Sequence, residues 1–137
     1  MSVLADTGAL YALHREADGW HERMRGWVSR SGATLLVPAT VVQETAYMIS
    51  ARVGPLAEAS FLRTAAEGEY TIADLDRTDL LRAADLVGRY ADFPLGFVDA
   101  SIVAIAERLD IRDLLTTDRR HFGVIRPAHC ERLRLLP

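Results

Sequence analysis

Four acidic side chains, Asp6, Glu44, Asp99 and Asp118, stand out in the 137-residue chain by their settings. Asp6 follows the apolar run Ser2–Ala5 and opens Asp6-Thr7-Gly8. Asp118 follows the short run Asp113–Thr116. Asp99 interrupts Phe97-Val98-Asp99-Ala100-Ser101-Ile102-Val103-Ala104-Ile105, where a charge is costly to bury unless it is paired or binds a metal. Glu44 stands in Val41-Val42-Gln43-Glu44-Thr45-Ala46-Tyr47-Met48. Taken singly, each has an ordinary explanation. Asp6 and Asp118 suit helix N-caps. Asp99 suits a first helical turn facing the helix dipole, and Glu44 an exposed helical face. Gathered in one cleft, the four would repel one another and resist ionising together. The chain has no lysine to neutralise them. A divalent cation would, and all-oxygen ligation suits Mg2+ or Mn2+ rather than Zn2+. Such an ion can activate a water and neutralise a phosphodiester during hydrolysis.

The elements between these residues decide whether they meet. Short runs rich in Val, Ile and Leu read as buried strands at Ser2–Ala5, Ala33–Val37, Tyr70–Ala73 and Asp113–Thr116. Helical spacing predicts helices at Ala9–His14, Gly19–Ser29, Thr40–Arg52, Leu56–Glu67, Asp76–Tyr90 and Phe97–Leu109. In the helix at Asp76–Tyr90 the apolar stripe reads as Leu80, Ala83, Ala84 and Val87. Gly54-Pro55 and Pro94-Leu95-Gly96 punctuate, and the tail Gly123–Pro137 has room for one or two short strands. Strands separated by helices imply parallel pairing through right-handed crossovers. The expectation is an α/β fold, a three-layer α/β/α sandwich around a central parallel sheet. In such sheets ligands bind beyond the carboxyl ends of the strands. Asp6 and Asp118 belong at that edge, and the helices carrying Glu44 and Asp99 start from it.

Composition narrows the classes. The length suits one domain over residues 1–137, and half the residues are hydrophobic, enough for a core without disulfides. A single cysteine, Cys130, excludes an internal disulfide and a cysteine-rich zinc site. No apolar stretch reaches bilayer length and no leader pattern opens the chain, so a cytoplasmic protein is expected. The net charge of −3 hides an asymmetry. Residues 118–137 carry five arginines against two acids, while the remaining chain is acidic. All sixteen basic residues are arginine, which excludes a P-loop. Every cationic contact is then a guanidinium fork, well suited to phosphate.

At the four acids the sequence resembles the PIN-domain family, and within it the VapC-type toxins of bacterial toxin–antitoxin pairs. The resemblance rests on Asp6-Thr7-Gly8, Glu44, Asp99-Ala100-Ser101-Ile102-Val103-Ala104-Ile105-Ala106 and Thr116-Thr117-Asp118-Arg119-Arg120-His121-Phe122, in order and spacing across essentially the whole chain. It implies a strand order of 3-2-1-4-5. It also implies Mg2+- or Mn2+-dependent hydrolysis of single-stranded RNA, leaving a 5′-phosphate and a 3′-hydroxyl. Asp6 and Asp99 would bind the metal most directly, with Asp118 and Glu44 completing the shell directly or through water. The implied partners are an RNA substrate, a VapB-like antitoxin and a second copy in a homodimer. One departure is Asp110, where the family often has Gly at the end of the long helix. Asp takes the left-handed conformation there only at some cost.

Thr7 would orient a ligand or water, or serve as a helix N-cap. Arg119 and Arg120 would grip substrate phosphates, or be ordinary solvated arginines. His14, His21, His121 and His129 read as surface or packing residues. Tyr11, Trp20, Trp27 and Tyr47 are candidates for stacking on RNA bases, with core packing the commoner role. Trp20, Trp27, Tyr47 and Met48 are candidates for antitoxin docking. A catalytically silent module of the same fold, acting only through a partner, is the alternative reading. A receiver-like signalling domain would need paired acids after the first strand and a lysine, and neither is present. A structure-specific DNA nuclease would need insertions for which 137 residues leave no room.

Overall fold

The computed structural model describes all residues, 1–137. Strand β1 (Ser2–Ala5) leads into helices α1 (Thr7–His14) and α2 (His21–Ser31). Strand β2 (Thr34–Pro38) is followed by α3 (Ala39–Arg52) and α4 (Pro55–Ala66), and β3 (Thr71–Ala73) by α5 (Arg77–Arg89) and α6 (Phe97–Leu109). Strand β4 (Asp113–Leu115), α7 (Arg119–Val124) and β5 (Arg134–Leu136) complete the chain. The sheet order is β3-β2-β1-β4-β5, and every pairing is parallel. This is the expected α/β/α architecture, with the strand order that the family resemblance implies.

The middle of the sheet is fully covered. Val3, Leu4 and Ala5 of β1 and Leu114 and Leu115 of β4 have no exposed surface. That fits strands apolar on both faces beneath two helical layers. Helix α1 packs on α2 and α3, and α3 on α4, while α5 packs on α6. Right-handed crossovers put these two groups on opposite faces, because the chain moves outward from β1 to β3 and then returns across the sheet to β4. Helix α6 is buried over the whole stretch Ala100–Ala106, which accounts for its nearly unbroken apolar sequence.

Two expectations need correction. The buried side of α5 is Asp79, Ala83 and Leu86, whereas Leu80 and Val87 are exposed. The cause is electrostatic. Asp79 is buried against α6, where its Oδ2 accepts from Arg108 at 2.9 Å. Asp79 also closes a capping box with Asp76, the two carboxylates each accepting the other's backbone N–H at 2.8 and 3.0 Å. That fixes the rotation of the helix one position away from the leucine-based stripe. The tail supplies one strand, β5, within the one or two expected, and the segment after Asp118 forms the short helix α7. Pro38, one residue past the predicted run Ala33–Val37, is the last residue of β2, paired with Ala73.

Asp110 ends α6 with φ of 52°, in the left-handed region. Its only ion pair, to Arg112 at 3.6 Å, is exposed and worth little. Asp110→Gly is therefore expected to stabilise the chain by about 0.5–1 kcal/mol, the steric relief exceeding the added freedom of the unfolded state. Urea unfolding checks this, and an unchanged or lower midpoint would contradict it.

Candidate active site

Asp6 is fixed by the sheet and by the helix it starts. Its N–H donates to Leu115 O at 3.1 Å, so the backbone just beyond β1 is tied to the end of β4. Its extended backbone makes it the N-cap of α1, with Oδ1 accepting from Ala9 N at 2.8 Å. Oδ2 accepts from the Thr116 hydroxyl. The residue is only 5% exposed. Burial, with a smaller push from the charges of Asp99 and Asp118, raises the carboxyl to about 7 against the pull of the Thr116 and Ala9 hydrogen bonds. Capping and membership of an acidic cluster are thus both true of this side chain.

Asp118 mirrors it after β4. It is the N-cap of α7, with Oδ1 accepting from His121 N at 3.0 Å and Oδ2 lying 2.6 Å from His121 Nδ1. Asp99 occupies the first turn of α6 and is partly buried. Burial pushes its carboxyl up to about 6, followed by the charges of Asp118 and Glu44, with His121 opposing. Glu44 lies in α3, exposed at the rim. The structure therefore brings Asp6, Asp99 and Asp118 within one field, and Glu44 reaches that field through Asp99.

No arginine enters this cluster. The arginine ion pairs run to Glu107, Asp76, Asp79, Asp110 and Asp113, and only His121 meets a site acid. The acids do not form a preformed cage, because no three His, Cys, Asp or Glu side chains close on a shared point. The donor chemistry still fits a hard divalent ion. Every donor is oxygen, and a carboxylate oxygen that accepts one hydrogen bond keeps a lone pair for a metal. Thr7, the first residue of α1, adds a buried hydroxyl with no hydrogen-bond partner. The N-cap is Asp6, so Thr7 does not have that role. A larger hollow of about 700 Å3, lined by Arg112, Asp113, Cys130 and Arg134, lies at the opposite edge of β4 and β5 and holds none of the four acids.

Two residues escaped the reading of the sequence. Thr116, fully buried, donates its hydroxyl proton to Asp6 and accepts from Asp118 N at 2.8 Å, so one side chain couples the two strand-end acids. A threonine two residues before an N-cap aspartate was the only available signal. His121, expected as surface or packing, touches Asp118 and tilts against Phe93 at 5.1 Å. The other histidines are held in packing. His14 meets Tyr70 and Phe61, His21 meets Ala12 O, and His129 meets Ile111 O. A Cβ at Gly8 would collide with Thr117 Oγ1, so a larger residue there would force the Thr117 side chain to move. Arg119 and Arg120 are exposed at the start of α7, and Arg119 donates to Pro137 O. Among the aromatic candidates, Tyr11 is buried beneath Arg52 and Trp20 and Trp27 pack on the core, which leaves Tyr47 free.

An all-parallel five-stranded sheet with an acidic cluster at its carboxyl edge defines an α/β/α domain built around an anionic site. The chain belongs to the PIN domain family, whose sequence model matches residues 3–126. It is 35% identical over 135 residues to Ribonuclease VapC26 of Mycobacterium tuberculosis, spanning 98% of this chain and 100% of that one. The sarcin–ricin loop cleaving toxin VapC20 of M. tuberculosis superposes with a TM-score of 0.79 at 17% identity, covering 86% of this chain and 91% of that one. VapBC2 of Rickettsia felis, solved with a promoter DNA fragment, gives 0.70 at 18% identity, covering 99% and 98%. At such identities the two structures speak for the fold alone.

The raised carboxyls set a pH dependence. Asp6 and Asp99 keep protons in the folded chain that the unfolded chain loses near pH 4. Folded-state stability without metal is therefore highest below about pH 4 from these groups, declines as pH rises, and levels off above about 7. Asp99→Asn is expected to raise the melting temperature in EDTA at pH 7.5 by about 2–5 °C, with the gain vanishing toward pH 4. A gain independent of pH, or a loss at pH 7.5, would contradict the mutual repulsion.

Proposed function

We propose that this chain, acting as a single domain over residues 1–137, is a Mg2+- or Mn2+-dependent endoribonuclease and the toxin of a toxin–antitoxin pair. The observation that carries the reading is the set of Asp6, Asp99 and Asp118 at one sheet edge, two of them held well above the usual carboxylate range, with no arginine among them. The full-length similarity to a protein named a ribonuclease supports it.

Asp6, Asp99 and Asp118 would hold the ion, with Glu44 completing the shell directly or through water. When bound, the ion supplies charge neutralisation at the phosphate and a more acidic water. The chain's own residues do the rest. Thr116 holds Asp6 and the backbone of Asp118 in fixed relation, and His121 Nδ1 holds Asp118 Oδ2. The unpartnered Thr7 hydroxyl orients a water. Glu44, exposed at the rim, takes the proton from the attacking water. Arg119 and Arg120 hold phosphates that flank the scissile one. The water oxygen bonds to phosphorus as the P–O3′ bond breaks, and the leaving 3′-oxygen takes up a proton from solvent, which leaves a 5′-phosphate and a 3′-hydroxyl.

A VapB-like antitoxin and a homodimer belong to this proposal. Solved relatives of the fold include VapBC assemblies from R. felis and Salmonella typhimurium. No helix is long and apolar enough to cross a membrane. An RNA substrate would put the working chain in the cytoplasm.

Incubation of the purified, antitoxin-free chain with total cellular RNA tests the reading. Discrete fragments with 5′-phosphates are expected in Mg2+ or Mn2+, with none in EDTA. Asp99→Asn should lower the rate by at least about 100-fold, beyond the loss typical of residues that only support a ligand. No cleavage by a folded sample would favour the catalytically silent module.

A further inference from the structure

The two sides of the acidic mouth differ in chemistry. On the α7 side stand two exposed arginines, Arg119 and Arg120. On the side where α3 meets the start of α6 there is no cation. A hollow of about 330 Å3 opens there, lined by Thr40, Gln43, Glu44, Tyr47, Phe97 and Val98. Tyr47 is 73% exposed and Phe97 47% exposed, although both are large apolar groups. Their helices are tied together at the floor. The Ser101 hydroxyl donates to Val98 O at 2.6 Å, so Thr40 must donate to Ser101 Oγ, also at 2.6 Å. The hollow is thus set by a hydrogen-bonded link between α3 and α6. Glu44 and Val98, the neighbour of Asp99 in α6, both line it, so the hollow lies beside the acidic cluster.

We propose that Tyr47 and Phe97 form a subsite for one unpaired RNA base next to the reacting phosphate; this rests on the ribonuclease reading above. The occupant follows from the chemistry of the walls. The hollow offers a flanking phosphate no cation, whereas Arg119 and Arg120 do so on the α7 side, so the backbone passes on the arginine side and the base turns toward α3 and α6. Exposed aromatic faces stack on any base, and the exposed Gln43 amide offers both donor and acceptor to a base edge. The volume suits a small ligand. A second copy of the chain seated on this face is the other occupant, and the sedimentation arm of the test separates it from a base. Stacking requires a base free of its helix, so the subsite selects single-stranded loops.

Fluorescence anisotropy with a labelled six-nucleotide oligoadenylate and its abasic counterpart, in Ca2+, tests the subsite. Tyr47→Ala and Phe97→Ala are each expected to weaken oligoadenylate binding roughly five- to hundredfold. Tyr47→Phe, which keeps the ring, should stay within about twofold. The abasic hexamer should bind the parent and Tyr47→Ala equally. Unchanged affinity in both alanine variants, an equal loss with the abasic hexamer, or no binding of either hexamer by the parent would overturn the proposal. So would sedimentation in which Tyr47→Ala turns a dimer into a monomer while oligoadenylate binding is unchanged. Failure of the nuclease reading is separate: it shows as total RNA left uncut by the parent in Mn2+.

Discussion

Uncompensated negative charge at the edge of a parallel sheet is the constraint around which this molecule is arranged. Asp6 is nearly buried and Asp99 partly so, and each feels other site acids without an arginine in reach. Such a grouping costs folding free energy at neutral pH. A sheet covered on both faces can bear it, because the buried strands and α6 supply an apolar core independent of the site. Elsewhere the chain pairs its buried charge. Asp79, as buried as Asp6, is held by Arg108. The contrast between these two aspartates separates a buried carboxylate paired with an arginine from one held by neutral hydrogen-bond donors.

The topology converts this charge into a site. Parallel strands point their carboxyl ends the same way, so Asp6 after β1 and Asp118 after β4 become neighbours although 112 positions apart in the chain. The β1–β4 pairing brings Thr116 under Asp6. Gly8 lets α1 approach the Thr117 hydroxyl closely enough for this. Thr116 then supports both acids with one hydroxyl. Its loss would leave two carboxylates less restrained.

Much of this was legible from the residues. Asp6 and Asp118 followed short apolar runs, and the rule that ligands sit beyond strand ends brought them together. Asp99 betrayed itself by lying in an apolar helix. The residues that escaped act through distant partners. Thr116 reaches Asp6 across 110 positions, a contact that no local pattern encodes. The face of α5 was misjudged because leucines were weighed above an aspartate whose partner, Arg108, comes from another helix. Helix α7 is one short turn set by the Asp118 cap, too brief for periodicity to reveal. Structures only 17% and 18% identical share this fold, so the architecture constrains far less of the sequence than its apolar pattern and edge acids do.

The most direct test of the uncompensated-charge account is Mn2+ binding, read as loss of the free-ion electron paramagnetic resonance signal at pH 7.5. The parent chain should take up Mn2+. Asp6→Asn, Asp99→Asn and Asp118→Asn, each checked as folded by circular dichroism, should each weaken binding by at least about tenfold, and Glu44→Gln by less. A parent that leaves all Mn2+ free, or aspartate variants that bind as the parent does, would show that the acids cluster for some reason other than holding a cation.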